Sequence, residues 1–249
     1  MIREHFFCRT LLLACLLAAS VSSLAAEKTL YVSFKQSESD LDCVVREDLY
    51  SSIVCEGVFE PLLQYDYLAR PVKLIPNTAA AMPEITDNGT TYTYKIKPGI
   101  YFHADPAFNG KKRELTAADY VYTFKRFYDP KIRSAWKWIF EGKIVGEDEA
   151  LAAAEKTGKF DFDKEWPGLK ALDRYTLQIK LKNPDYNFSY ITAMVNAGAQ
   201  AREVVEYYGN NIAQHPVGTG PFALKFWRPK SKIILERNPD YREVIFNSV

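Results

Sequence analysis

Residues 91–127 change hydrophobic period once, and that change limits the fold more than any other feature of the chain. TTYTYKIKPGIYF sets Tyr92, Tyr94 and Ile96 against Thr91, Thr93 and Lys95, the two-residue alternation of a half-buried antiparallel strand. Asn88-Gly89 just upstream is a hairpin turn signal. LTAADYVYTFKRFYDP then places Tyr120, Phe124 and Phe127 on one face of a helix. Thr116 with Asp119 three residues on makes a capping box, and Asp129-Pro130 stops the helix.

The same two periods recur along the chain. Alternation of Leu30, Val32 and Phe34 predicts a strand at TLYVSF, followed by the polar loop KQSESD. Leu177, Ile179 and Leu181 predict another strand in YTLQIKL. EDEALAAAEKTG reads as a surface helix stopped by Gly158, and AREVVEYYGNN as a helix stopped by Gly209. FALKF and KIILE flank Arg228-Pro229-Lys230-Ser231 and predict a second hairpin. Hairpins outnumber βαβ units, so the expected class is α/β in composition with segregated, mixed sheets rather than one doubly wound parallel sheet.

Arg3 and Arg9 precede an apolar run, Leu11 to Ala19, and a small-residue exit, Ser23-Leu24-Ala25-Ala26. That is a secretory signal peptide over residues 1–25, with cleavage expected near Ala25. Leu12-Leu13-Ala14-Cys15 resembles a lipobox, but Cys15 sits inside the apolar run rather than at its end. Removal of Arg3, Arg9 and Glu4 reduces 32 bases and 31 acids to thirty of each. A balanced chain implies no nucleic-acid or other polyelectrolyte partner.

Cys43 and Cys55 remain after cleavage, and export makes a disulfide chemically possible. DCVVREDLYSSIVC, however, spaces Val45, Leu49 and Ile53 four apart behind Asp42 as an N-cap. A straight helix there would separate the cysteines by ~18 Å, beyond bridging distance. Two separate thiols are the expectation.

The residues predict no catalytic centre, no metal site and no cofactor. His103 and His215 lack a companion at zinc-site spacing. No serine occupies a G-x-S-x-G turn, and Gly218-Thr219-Gly220 lacks the Gly-Lys-Ser/Thr ending of a phosphate loop. Carboxylates are plentiful, which keeps an exported hydrolase as the alternative reading. Aromatic residues are the positive signal: Trp136 and Trp138, two apart in WKWIF, would point to opposite faces of a strand or lie apart on a helix. One in the core and the other exposed for contact is one reading; both packed in the core is the other.

HPVGTGPF, His215 to Phe222, brackets two glycines with Pro216 and Pro221 and writes one specific bend. Together with EGVFEPLLQYD, YTYKIKPGIYFH and LTAADYVYTFKRFYDP, the block PVGTGPFALKFWRPKSKIILERNPDY resembles the extracytoplasmic solute-binding proteins of peptide-type ABC importers. These include oligopeptide-, dipeptide- and nickel-binding proteins, and the resemblance spans nearly all of residues 29–243.

The resemblance implies a periplasmic-binding-protein-like clamshell of which this chain holds most of the first lobe, with the second lobe absent. Residues 26–60 would begin a larger subdomain, 61–212 would form an inserted smaller one, and 213–249 would return to the larger. Pro216, Gly218, Gly220 and Pro221 would make the re-entry bend. Glu38, Ser39 and Asp40 would pair with an extended ligand, and Trp136 would approach it, which puts Trp138 in the core. The implied function is capture of a peptide or other small solute in the periplasm and its delivery to an ABC permease in the inner membrane. The full-length protein would be a monomer, and a single lobe would bind its ligand far more weakly.

Overall fold

The computed structural model describes residues 28–245; the expected signal peptide and its cleavage site lie outside them. Two units are distinguished, residues 1–35 and 36–249. In the first unit, residues 28–34 form no ladder, and Leu30, Tyr31 and Val32 are exposed. The strand expected at TLYVSF is therefore not formed: alternation marks which side chains a strand would bury, but a strand exists only where another chain segment takes its hydrogen bonds.

In the second unit, helix α1 (Leu49–Val58) leads into a short hairpin of β1 (Leu63–Tyr65) and β2 (Leu74–Pro76). Strands β3 (Glu84–Thr86) and β4 (Thr91–Lys95) follow, joined by a turn in which Asn88 and Gly89 take positive φ of 55° and 86°. These are the left-handed angles that an Asn-Gly turn supplies. Helix α2 (Ala117–Arg126) comes next, then the single turn α3 (Lys137–Phe140) and α4 (Glu147–Thr157). Strands β5 (Leu169–Asp173) and β6 (Thr176–Lys180) complete a four-stranded antiparallel sheet, ordered β3-β4-β6-β5. Helices α5 (Phe188–Ile191) and α6 (Arg202–Tyr208) precede the hairpin of β7 (Phe222–Arg228) and β8 (Lys232–Arg237).

The two sequence periods meet in one core. Tyr92 pairs with Ile179 and Tyr94 with Leu177 across β4 and β6, and all four are fully buried. Thr93 and Gln178, paired on the opposite face, are half-buried. Helix α2 packs on β5 and β6 and contributes Tyr120 and Phe124. Its capping box forms as the spacing predicts, with Asp119 Oδ2 accepting from Thr116 N at 2.7 Å. Buried tyrosine hydroxyls keep partners, as they must: Tyr92 donates to Asp185 O at 2.7 Å, and Tyr94 meets Thr192 Oγ1 at 3.0 Å.

Two expectations are corrected here. Cys43 and Cys55 form a disulfide, with Cα atoms 6.1 Å apart, because the helix expected from Asp42 begins only at Leu49. Asp48 is the N-cap, accepting from Ser51 N at 2.8 Å. The Asp42 carboxylate is committed to Arg126, at 2.9 and 2.7 Å, and residues 43–45 turn the chain back toward α1 instead. Trp138, expected in the core, is 69% exposed. Helix α3 is one turn long, and it is Ile139 and Phe140 that face inward, Phe140 stacking on Phe127 at 4.3 Å between ring centres.

Candidate functional site

The bend at residues 216–221 is built by close approach. A Cβ added at Gly218 would lie 2.0 Å from Val58 O, and one at Gly220 would lie 2.6 Å from Gly57 O. Neither glycine takes a positive φ, so each is required for space rather than for backbone angle. Gly220 N donates to Val58 O at 2.8 Å, satisfying a carbonyl that the end of α1 leaves over. His103 clasps the other side: its backbone N donates to Gly218 O at 2.9 Å, and its Nε2 lies 3.0 Å from Gly220 O. That contact assigns the ring proton to Nε2. Burial lowers the His103 pKa, and the neutral ring serves as a strut.

Thr219, between the glycines, donates from Oγ1 to Glu60 Oε2 at 2.9 Å. The buried Glu60 carboxylate also accepts from both terminal nitrogens of Arg242 at 2.7 Å and from Tyr241 OH at 3.0 Å. A buried carboxylate is tolerable only with this degree of pairing. Burial and the neighbouring Glu60 charge push the Tyr241 phenol up to about 12. The bend is thus locked from residues 57–60, 103 and 241–242.

Glu38, Ser39 and Asp40 bridge the β7–β8 hairpin and the start of α1. The Glu38 carboxylate accepts from Trp227 Nε1 at 2.6 Å and from Lys230 N at 3.0 Å, which fastens it to the β7–β8 turn. Ser39 N donates to Asp48 Oδ2 and Ser51 Oγ, both at 3.0 Å, and Ser39 Oγ donates to Asp48 as well. Asp40 N reaches Ser51 Oγ at 3.3 Å, while Asp40 Oδ1 accepts from Asp42 N at 2.6 Å. Burial raises the Asp40 pKa. Burial works the same way on Asp48, but the hydrogen bonds from Ser39 and Ser51 outweigh it and hold that carboxyl at about 2. The N–H groups of Ser39 and Asp40 are therefore spent inside the chain.

Trp136 is half-buried, and its Nε1 donates to Arg46 O at 2.6 Å. Two residues earlier, Ser134 Oγ donates to Val44 O at 2.5 Å. The 134–136 turn thus pins residues 44–46, the continuation of the 38–40 segment, rather than Glu38 itself. Behind the segment sits a polar core that sequence reasoning missed: Asp42 paired with Arg126, with Gln200 Nε2 donating to Asp42 Oδ1 at 3.2 Å and Gln200 Oε1 accepting from Arg126. Arg126 ends the strongest helix pattern in the sequence, where an arginine is expected to be solvated, so no local signal marks it.

The fold is shared with known proteins. Residues 73–247 match the middle region of the bacterial extracellular solute-binding proteins, family 5. Di/tripeptide-binding protein 4 of Pseudomonas aeruginosa is 28% identical over 95% of this chain and 43% of its own length. The oligopeptide-binding protein OppA of Bacillus subtilis is 27% identical over 86% of this chain and 36% of its own. Among solved structures, the substrate-binding domain of an oligopeptide ABC transporter from Bacillus anthracis superposes with a TM-score of 0.71 at 22% identity, covering 88% of this chain and 39% of that one. Listeria monocytogenes OppA bound to peptide superposes with a TM-score of 0.66 at 26% identity, covering 83% and 38%. The chain spans about two-fifths of the length of these relatives, and over that part it has their mixed-sheet solute-binding fold. It belongs to family 5 of the bacterial extracellular solute-binding proteins.

Proposed function

We propose that this chain captures a peptide or similar small solute outside the cytoplasm and delivers it to an ABC permease in the inner membrane. The match of residues 73–247 to a family of extracellular solute-binding proteins is the observation that carries the reading. Relatives named for di- and tripeptides, and a neighbour described as bound to peptide, favour a peptide over other solutes.

The 38–40 segment suits an extended ligand. It is anchored on the Glu38 side by Trp227 and Lys230 and on the Ser39–Asp40 side by Asp48 and Ser51. With its N–H groups engaged internally, its carbonyls are the groups that pair with ligand N–H donors, a one-sided form of strand addition. Residues 61–212 act as the inserted smaller subdomain, and Trp136 contributes aromatic contact at the edge. Purification from the exported fraction, mass spectrometry of what is bound and calorimetric titration with the recovered species test the reading. Intact peptide with a measurable binding heat supports it. Cleaved products accumulating with turnover would replace it with an exported hydrolase.

A further inference from the structure

The buried and half-buried guanidinium groups of the described residues follow one rule, with one exception. Arg126 holds Asp42, Arg113 holds Asp119 and Glu203, Arg202 holds Asp163 and Glu206, and Arg242 holds Glu60. Arg46 is 2% exposed and makes no such ion pair. Its Nη1 donates to Ser52 Oγ and its Nη2 to Asn196 Oδ1 at 3.2 Å, both neutral acceptors. Its Nε has no acceptor, and neither has Nδ2 of the adjacent, buried Asn196.

The acids that act on Arg46 from a distance are Asp48 and Glu56. Asp48 is already saturated by Ser39 and Ser51, and Glu56 is an exposed residue of α1. Burial consequently lowers the Arg46 pKa to about 10. Lys125 is also buried without a carboxylate, but the carbonyls of Phe162 and Lys164 satisfy it at 2.8 and 2.7 Å. Arg46 alone combines an uncompensated charge with neighbouring unused donors, the set that an anionic oxygen pair fits.

Its position gives that set a use, since the Arg46 carbonyl is the acceptor for Trp136 and the 38–40 segment lies six to eight residues upstream. We infer that Arg46, held in reserve by Ser52 and Asn196, is a carboxylate-binding subsite at the edge of the peptide site, taking the C-terminal carboxylate or an acidic side chain of the ligand. The inference deepens the peptide-binding reading and rests on it for the ligand. Engagement requires the covered guanidinium to turn outward. Its unbranched side chain is held by two neutral hydrogen bonds, and charge-assisted bonds to a carboxylate are about twice as strong as neutral ones.

The test follows the Arg46 Nε–H and Trp136 indole N–H resonances of the full chain in chloride, acetate and acetamide, with thermal melts confirming that each variant is folded. A saturable shift with acetate only is expected; at the indole it is lost in Arg46→Met and weakened in Arg46→Lys. No saturable shift with acetate, or an equal one with acetamide, overturns the subsite. So does an Arg46 Nε–H resonance that already reports a carboxylate in chloride and loses that signature in Glu56→Gln, since the pairing would then be internal. In parallel, calorimetry compares trialanine with trialanine amide: a preference for the free acid of about tenfold is expected, abolished in Arg46→Met with amide binding unchanged. Equal binding of acid and amide removes the subsite and leaves peptide capture standing. An acetate shift with neither peptide bound keeps the carboxylate subsite and removes a tripeptide as its ligand.

Discussion

Replacing both bridged cysteines, Cys43→Ala with Cys55→Ala, separates the contribution of the cross-link from that of the residues it joins. The bridge closes a loop whose ends are 12 residues apart, and loop-closure entropy for that length is worth about 3 kcal/mol at 25 °C. Both sulfurs are buried against Val58 and Phe59, so truncation to alanine adds a packing loss of roughly 1 kcal/mol. For a folded unit of this size each kcal/mol moves Tm by about 2–4 °C, which gives a fall of roughly 8–16 °C. Urea melts of the oxidised chain, the chain treated with a phosphine reductant and the double alanine variant distinguish the two terms. The reduced chain should lose the entropic part only, and the variant should lose both. Equal midpoints for oxidised and reduced protein, or two free thiols in the denatured, unreduced chain, would refute the reasoning.

Four further outcomes follow from single contacts. Gly218→Ala forces a methyl against Val58 O and should cost about 3 kcal/mol or more in a urea melt, whereas Gly142→Ala, where a Cβ meets nothing within 4 Å, should cost only the ~1 kcal/mol of its positive φ. Arg126→Met leaves the buried Asp42 without its cation and should destabilise by about 3–5 kcal/mol, with Asp42→Asn in the same background recovering part of the loss. Asp48 is held at about 2 in the folded chain against 3.8, so its contribution is fully present above pH 4 and is lost as pH falls from about 4 toward 2; Asp48→Asn should flatten that part of the stability–pH curve. Trp138→Ala should leave Tm within about 1 °C of the parent, because the indole is exposed, while Trp136→Ala, which frees the Arg46 carbonyl, should lower it.

Much of the fold was legible because it depends on local patterns. The Tyr92–Ile96 alternation, the Thr116–Asp119 box and the Gly158 and Gly209 stops each determine structure within a few residues, and all four appear where the spacing puts them. The errors arose where a distant partner decides the outcome. Asp42 still starts a turn, its Oδ1 accepting from Val44 N while Arg126, 84 residues away, holds the same carboxylate, but that turn does not continue into a helix and the cysteines come within bridging reach. Trp138 lost its expected place because α3 lasts only one turn. At the candidate site, Glu38, Ser39 and Asp40 could be named, but the use of their N–H groups could not, since Asp48, Ser51, Trp227 and Lys230 are brought to them by the fold.

The Glu60 lock also bears on the order in which the molecule is completed. Residue 60 leaves the ribosome, or any channel that passes the chain amino end first, long before residue 242, and the contact between them spans 182 positions. Until Arg242 arrives, burying Glu60 leaves a carboxylate without its cation in a low-dielectric interior, so the Glu60 side of the bend closes last, although Val58 and His103 already hold Gly218 and Gly220. Contacts of such separation form late and slowly, after the loop between them has collapsed. The lock therefore ties the start of the described residues to their end: its ion pair is complete only once residue 242 is present.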